Sequence, residues 1–357
     1  MNAPARPSQP STLWRRFYCS SLLFIWLVCI FAIALPSTLA QAQNSVVLVG
    51  SGSSVPAPLY NRLAQEYAKR GTNAQMRYLP IGTSEGIKQI SHGSGDFGAG
   101  EVRLTADERA EASLIELPAV LIAIVPIYNL PEVRELKLSG EVLAAIFLGD
   151  VKTWNAPQIA KLNAEATLPN LPIEVFNRPG GKGSNYVFTD FLSKTNSKFR
   201  DRIGVTPSPQ WPVGMPAERS SDMADKVKST PGSIGYVELQ YAVKGNVAQA
   251  AVLNPSGRFV KASAQSITAA CQAVEAPHWN NFSASLTNAP NPESFPITSF
   301  TWIYLRTKSN ESARSAATAD FLDWMYSDGQ QFAGEEGYSQ LPAPLLAAVR
   351  KKVNTLR

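Results

Sequence analysis

The chain of 357 residues has a formal net charge of +5, but its first 42 residues carry three arginines and no acidic residue. The remaining chain therefore has a net charge of only +2 and no basic run interleaved with aromatic residues, which does not favour a nucleic-acid partner. Beyond residue 42 the chain holds one cysteine, Cys271, and two histidines, His92 and His278. We therefore expect no intramolecular disulfide, no metal site and no cofactor.

The N-terminal segment has the pattern of an export signal. A basic start precedes an apolar run at 22–35, and small residues alternate at 38–42, which predicts a signal peptide over 1–42. A membrane anchor is the alternative, but a spanning helix needs about 20 apolar residues. Neither Cys19 nor Cys29 follows a small residue, so a lipid anchor is not expected. We expect a periplasmic protein, or one released to the medium.

The rest of the chain alternates β-rich runs with amphipathic segments, which is typical of the α/β class. About 315 residues exceed the size of one hydrophobic core, so we expect two lobes. Ser54 is expected to cap the first helix, Cys271 to be a small buried residue, and 276–296 to be a connector. The predicted strands lie at 45–49, 75–79, 117–127, 233–237 and 297–305, and the helices at 56–69, 85–91, 140–147, 156–162, 184–194 and 316–326.

Three turns combine glycine with hydroxyl residues where a helix is expected to start. They are 50–55 (GSGSSV), 82–84 (GTS) and 178–184 (RPGGKGS). The start of a helix has free N–H groups and a partial positive charge, and glycine allows a ligand to approach the backbone. Each such turn can bind an anion. Three of them, with Arg178 in one, predict an oxyanion site.

The sequence also contains two motifs that would indicate an enzyme instead of a binding protein. Residues 82–86 (GTSEG) match the G-x-S-x-G pattern of serine hydrolases, but the downstream histidine, His278, lies in the polar connector. Ser84 is also explained as a helix-cap residue. Residues 181–184 (GKGS) depart from a P-loop because Gly183 stands where serine or threonine should follow the lysine. We therefore expect a binding protein and not an enzyme.

The ordered motifs of the chain resemble the periplasmic phosphate-binding proteins that feed phosphate ABC transporters. The resemblance spans nearly all of the chain beyond the signal. It rests on 50–60 (GSGSSVPAPLY), 81–89 (IGTSEGIKQ), 96–100 (DFGAG), 146–149 (IFLG), 152–155 (KTWN), 159–163 (IAKLN), 183–189 (GSNYVFT), 231–238 (PGSIGYVE) and 295–299 (FPITS).

This resemblance implies a type II periplasmic binding protein of two α/β lobes. Each lobe would be a mixed β-sheet flanked by helices, and two crossing hinge strands would join the lobes. Lobe one would comprise 43–120 and 297–357, and lobe two 121–296. Phosphate would be held in the cleft, hinge closure would follow, and the loaded monomer would deliver phosphate to a membrane permease.

The resemblance implies the ligand contacts position by position. The implied contacts are Ser54, Val55, Thr83, Glu101, Arg178, Lys182, Gly183 and Ser184.

Three positions depart from the family pattern. Glu101 replaces an aspartate that, in the family, accepts the proton of hydrogen phosphate and so rejects sulfate. Gly180 replaces an acid that partners the arginine, and Lys182 replaces a hydroxyl residue.

The role of Lys182 remains open on the sequence. It could add a point charge beside Arg178, pair with Glu101, or be a solvated loop lysine. Counting Glu101, Arg178 and Lys182 gives the site a net charge of +1, against −1 in the family pattern. The alternative function is therefore an oxyanion binder of altered selectivity, used in sensing, adhesion or extracellular scavenging without a permease.

Overall fold

A computed structural model describes residues 46–273, 282, 284–307 and 312–356. Its strands are β1 (Val46–Gly52), β2 (Ala74–Leu79), β3 (Phe97–Gly100), β4 (Leu114–Tyr128), β5 (Lys137–Leu138), β6 (Glu174–Asn177), β7 (Met215–Pro216), β8 (Ser233–Glu238), β9 (Ala248–Gln249), β10 (Ala251–Leu253), β11 (Phe259–Val260) and β12 (Thr298–Arg306). Its helices are α1 (Ala57–Ala68), α2 (Thr83–Ser91), α3 (Ala106–Glu111), α4 (Gly140–Phe147), α5 (Pro157–Ala160), α6 (Gly183–Thr195), α7 (Ser197–Arg202), α8 (Ser220–Ser229), α9 (Leu239–Gly245), α10 (Ala264–Gln272), α11 (Ser312–Met325), α12 (Gln331–Glu335) and α13 (Ala343–Asn354), with a 3-10 turn at Asp328–Gln330.

The first part of the fold is a strand–helix–strand unit. Helix α1 buries Leu59, Leu63 and Tyr67, which lie one helical turn apart and so share one face. In β2, buried and exposed residues alternate, as expected for a strand covered on one side. Strand β1 pairs in parallel with both β2 and β3. The carboxyl ends of β1 and β3 therefore lie at the same edge of the sheet.

Strand β4 connects the two parts of the main sheet. It has fifteen residues and is buried along almost all of its length, because it is covered on both faces. Residues 114–123 pair antiparallel with β12, whereas 124–128 pair antiparallel with β8. The sheet order is β2-β1-β3-β12-β4-β8-β6-β7, with β9 also paired to β4. One twisted sheet thus runs through the described chain by way of β4.

The second part of the sheet repeats the parallel arrangement. Strands β6 and β8 are parallel neighbours, so Asn177 and Glu238, at their carboxyl ends, lie at the same sheet edge. Phe147, Phe188 and Tyr236 pack as an aromatic cluster behind this edge, with the rings of Phe188 and Tyr236 stacked at 4.2 Å. Burial of these rings fixes β8 against α4 and α6.

Most predicted elements are confirmed, with adjusted ends, and the expected mixed α/β class is confirmed with them. The expectation that Ser54 caps α1 is wrong, since Pro56 occupies the N-cap position without a side-chain hydrogen bond. The helix predicted at 156–162 is shorter, because α5 spans only Pro157–Ala160. Cys271 is fully buried within α10, as predicted.

Two of the predicted segments lie wholly or partly outside the described residues. The predicted signal at 1–42 is one, and part of the connector predicted at 276–296 is the other. From residue 284 to residue 297 the chain forms no regular element. Among the residues described, no helix combines the length and the apolar character that crossing a bilayer requires.

Candidate functional site

Glu101 and Thr83 form the centre of the candidate site. Glu101 directly follows β3, and Thr83 is the first residue of α2. Both side chains are fully buried, and Thr83 Oγ1 donates a hydrogen bond of 3.1 Å to Glu101 Oε2. Gly100 leaves room for the Thr83 side chain, since a Cβ there would overlap it. The other oxygen, Glu101 Oε1, has no hydrogen-bond partner among the described residues.

Burial changes the acidity of Glu101. The pKa of this carboxyl is raised to about 8, mainly because it is removed from water; hydrogen bonds from Ser53 and Thr83 oppose the shift, and the charge of Glu238 adds to it. At neutral pH Glu101 therefore mostly carries a proton. In that state it can donate a hydrogen bond to a charged anion as well as accept one from a protonated anion.

The first predicted turn lies beside Glu101 but is arranged differently from the prediction. Ser54 is half-buried, and the N–H of Val55 donates to Ser53 Oγ at 3.0 Å. Ser53 is also buried and hydrogen-bonded to Glu101. The family resemblance of the sequence points to Ser54 and not to Ser53. Its presence in the same hydroxyl-rich turn, 50–55, was the signal that could have identified it.

Arg178 follows β6 and is held in place by the second part of the fold. Its side chain is only 1 % exposed, and its backbone N–H donates to the Tyr236 hydroxyl at 3.1 Å. Nη1 donates to Ser220 Oγ and Nη2 to the Glu218 carbonyl. Nε has no partner among the described residues, and each terminal nitrogen keeps one further N–H. The guanidinium can therefore still present two N–H groups to an anion.

The loop after Arg178 is fixed by a network of hydrogen bonds. Asn185 Nδ2 donates to the carbonyls of Pro179 and Pro207, and Gly181 N–H donates to Ser208 Oγ. Gly181 has a φ of +81°, a left-handed conformation that favours glycine. The loop is therefore rigid, so its backbone can hold a ligand in one position.

The start of α6 meets Glu101. Gly183 is the first residue of this helix, and an added Cβ would overlap the Glu101 carboxylate and lie 2.7 Å from Thr83 Oγ1. Ser184 is 1 % exposed, and its hydroxyl has no partner among the described residues. The N-terminus of a thirteen-residue helix thus faces a buried acid across the site.

Lys182 lies at the rim of the site and not at its centre. Its Nζ is 3.7 Å from Glu218 Oε2, and the two side chains are 26 % and 71 % exposed. The alternative in which Lys182 pairs with Glu101 is therefore wrong. A cation at this position is screened by water, so its effect on a buried anion is weaker than that of Arg178.

The features that a hydrolase or a metalloprotein would need are not seen in the described part of the chain. Ser84 is exposed in the first turn of α2, and Gly82 occupies the N-cap position that had been expected for Ser84. His278, its proposed partner, lies outside the described residues. Within the described ranges, no group of three His, Cys, Asp or Glu side chains could hold a metal ion.

Comparison with known proteins identifies the family of the chain. Residues 39–329 match the family model described as a PBP superfamily domain. The phosphate-binding protein PstS of Pasteurella multocida is 36% identical over 321 residues, which is 89% of this chain and 93% of that protein. The PstS of Haemophilus influenzae is 35% identical, over 88% of this chain and 94% of that protein.

Solved structures show the same fold at lower identity. The phosphate-bound periplasmic protein PfluDING has a TM-score of 0.68 at 18% identity and covers 86% of this chain and 93% of its own. An ABC-type phosphate transport receptor from Vibrio cholerae has a TM-score of 0.57 at 17% identity, covering 83% of this chain and 100% of its own. The predicted two-lobed type II fold is thereby confirmed. The chain belongs to the PBP superfamily and, within it, to the family of the phosphate-binding proteins PstS.

Proposed function

We propose that this protein captures inorganic phosphate between two lobes and delivers it to an ABC phosphate importer. The observation that carries the proposal is the meeting of three separate turns at one buried point, where Thr83 and Glu101 face Gly183 and the Gly82 N–H donates to the Gly52 carbonyl of the first turn. The relatives at 33–36% identity are phosphate-binding proteins, which supports phosphate as the ligand. The protein's part in transport is binding and not catalysis.

The proposed site residues are the eight expected from the resemblance, seven as direct contacts and Lys182 as a nearby charge. Arg178 Nε and Ser184 Oγ support this assignment most directly, because both are buried polar atoms without partners among the described residues. The Val55 N–H donates to Ser53 Oγ, with 3.0 Å between the nitrogen and the oxygen, so this donor would be shared between Ser53 and the anion. Lys182 would act as a rim charge. The full set is Ser54, Val55, Thr83, Glu101, Arg178, Lys182, Gly183 and Ser184.

Selectivity for phosphate would follow from proton exchange at Glu101. A hydrogen phosphate ion has both a donor and acceptors, so it can pair with this carboxyl in either protonation state. Sulfate has no proton and can only accept. Above its pKa of about 8 Glu101 is ionised, and sulfate would then place an unpaired negative charge beside a buried carboxylate, which is costly. Below this pH the protonated carboxyl can donate to sulfate, so the discrimination against sulfate should be strongest at alkaline pH.

The proposed mechanism is hinge closure between lobe one, 43–120 with 297–357, and lobe two, 121–296. The change of partner along β4 supports this division, because pairing passes from β12 to β8 after Ala123, close to the proposed boundary. Thr83 and Glu101 would come from lobe one, and Arg178 and Gly183 from lobe two. An anion can contact both sets only when the cleft is closed, so binding would favour the closed state.

The proposed location is the periplasm, reached by export with a cleavable signal at 1–42, and release to the medium is a further option. The proposed partners are phosphate and a membrane permease, with the protein acting as a monomer.

Calorimetric titration with phosphate, arsenate and sulfate tests the proposal. We expect heat and a raised melting temperature with phosphate and arsenate, and much weaker binding of sulfate. If sulfate binds as tightly as phosphate, the alternative of altered selectivity is correct. If no tetrahedral oxyanion binds, the proposed function is wrong.

A further inference from the structure

Glu238, at the end of β8, is a buried acid that the resemblance does not assign to the site. Its side chain is fully buried, and neither carboxylate oxygen has a hydrogen-bond partner among the described residues. None of the ion pairs formed by the described residues includes it. An uncompensated charge in this position is costly, so the fold is expected to retain it for a purpose other than stability.

The strand places Glu238 on the side of the sheet that supports Arg178. Glu238 and Tyr236 are two residues apart on β8, so their side chains leave the same face. The Tyr236 hydroxyl accepts the backbone N–H of Arg178 and contacts Asn185 Oδ1. Because β6 and β8 are parallel neighbours, the ends that carry Arg178 and Glu238 lie at one sheet edge. The Glu238 side chain is therefore expected to lie on the Arg178 side of the site.

The charge of Glu238 also acts on several titratable neighbours. The charge of Glu238 helps to raise the pKa of Glu101 on the opposite side of the site, although burial is the larger cause. It contributes in the same direction, again after burial, to the raised pKa of three tyrosines around it. The titratable and charged groups that face Glu238 are Glu101 after β3, Arg178 after β6, Tyr236 on β8, Tyr241 on α9 and Tyr338 after α12.

Including Glu238 changes the charge balance of the site. The buried ionisable groups are then two acids, Glu101 and Glu238, and one cation, Arg178, while Lys182 lies at the rim beside Glu218. Counted formally, these three side chains carry one net negative charge, and a proton on Glu101 brings the sum to zero. Gly180 supplies no acid next to Arg178. A doubly charged anion would make the buried set negative in either case, and like charges at close range disfavour ionisation.

We propose that Glu238 is a second acid of the anion site, which compels the protein to take up a proton when it closes on a doubly charged anion and thereby sets its preference for protonatable anions. The proton comes from the solvent and ends on the anion, where it is shared with one of the two acids, so no bond other than that to hydrogen changes. The inference rests on the proposed phosphate function and specifies how the site selects its anion.

Calorimetry in two buffers of different ionisation enthalpy tests the inference, because it counts the protons taken up per anion. At a pH of about 8 we expect the parent protein to take up about one proton per phosphate. Glu238→Gln should at least halve this uptake and lower the ratio of phosphate to sulfate affinity about tenfold or more. The matched control is Glu174→Gln, since Glu174 is an exposed glutamate on the neighbouring strand β6.

The possible outcomes separate the inference from the proposed function. If the parent and Glu174→Gln bind phosphate, and Glu238→Gln matches them in proton uptake and in selectivity, the inference is wrong and the proposed function stands. If Glu238→Gln does not fold, Glu101→Gln decides the matter: proton uptake that persists in this variant supports the role of Glu238, and its disappearance refutes it. If the parent binds no anion, both proposals fail.

Discussion

The carboxylate of Glu101 occupies the space in which any side chain at position 183 would lie, so a buried acid from one part of the sheet packs directly against Gly183 at the start of α6. The extra methylene of glutamate, compared with the aspartate of the family pattern, is accommodated because residue 183 has no side chain. The same contact brings the helix N-terminus next to the acid that would exchange a proton with the ligand.

Replacing Gly183 by alanine should therefore weaken anion binding without unfolding the protein. The added methyl group would overlap the Glu101 carboxylate, whereas alanine is otherwise favourable in a helix. We expect phosphate affinity to fall about 100-fold, which corresponds to about 2.7 kcal/mol. Because the overlap lies between the two proposed lobes, opening of the cleft would relieve it, so the melting temperature without phosphate should remain nearly unchanged.

Gly334→Ala is the matched control for this substitution. Gly334 lies in α12, and an added Cβ there meets no atom within 4 Å. Titration calorimetry and thermal melting of both variants give the comparison. If Gly183→Ala binds phosphate as tightly as Gly334→Ala does, the contact between Glu101 and Gly183 is not part of the binding site.

Arg178→Lys tests the planar geometry of the guanidinium. Lysine keeps the positive charge but cannot donate two parallel hydrogen bonds, and it also loses the bonds to Ser220 Oγ and the Glu218 carbonyl. We expect a loss of phosphate affinity of at least about tenfold, mainly through faster dissociation. Stopped-flow measurement of the dissociation rate tests this. An unchanged rate would mean that Arg178 acts only as a point charge.

Lys182→Ser should have a much smaller effect. The ion pair with Glu218 spans 3.7 Å, and both side chains are solvent-accessible, so the lysine is screened. We expect phosphate affinity to fall less than about fivefold and the difference to shrink as salt is added. Titrations at low and high ionic strength measure this. A large loss that does not depend on salt would place Lys182 in direct contact with the anion.

Glu101 should make the stability of the protein depend on pH. Its pKa is about 8 in the folded chain against 4.5 as the ordinary value, so from 4.5 to 8 the unfolded chain binds fewer protons than the folded chain. The contribution of Glu101 to stability is complete below 4.5, is lost as the pH rises through 8, and then stays constant. The total loss is at most about 5 kcal/mol.

Chemical denaturation of the parent and of Glu101→Gln between pH 5 and 9 tests this dependence. Glutamine cannot ionise, so the free energy of unfolding should fall less steeply with pH in the variant than in the parent. Glu174→Gln, at an exposed position, should follow the parent. Identical slopes in the parent and in Glu101→Gln would mean that Glu101 is already ionised at neutral pH in the folded protein.

The local elements and the meeting of the turns could be predicted from the sequence. Leu59, Leu63 and Tyr67 identify α1 by their spacing, and the β-branched run in β4 identifies a buried strand. Glycine and hydroxyl residues identified the turns that meet at Glu101, because free N–H groups at helix starts have a general affinity for anions.

The sequence could not predict which side chains the folded turns would bring into contact. Nothing in the local pattern distinguishes Ser53 from Ser54, yet it is Ser53 that holds the Val55 N–H. Lys182 and Glu218 are far apart in the chain, so their pairing depends on the loop geometry. In the sequence, Glu238 simply follows the last residue of a predicted strand. Its burial without a hydrogen-bond partner depends on the pairing of β6 with β8, which the local sequence does not predict.

The position of a bound anion is the most direct test of the account. Arsenate has the shape and protonation behaviour of phosphate, and the anomalous scattering of arsenic locates it in a crystal of the complex. We predict one arsenic peak beside Glu101 and the start of α6, with an arsenate oxygen within hydrogen-bonding reach of Arg178 Nε. A peak elsewhere, or none at a saturating arsenate concentration, would contradict the central claim.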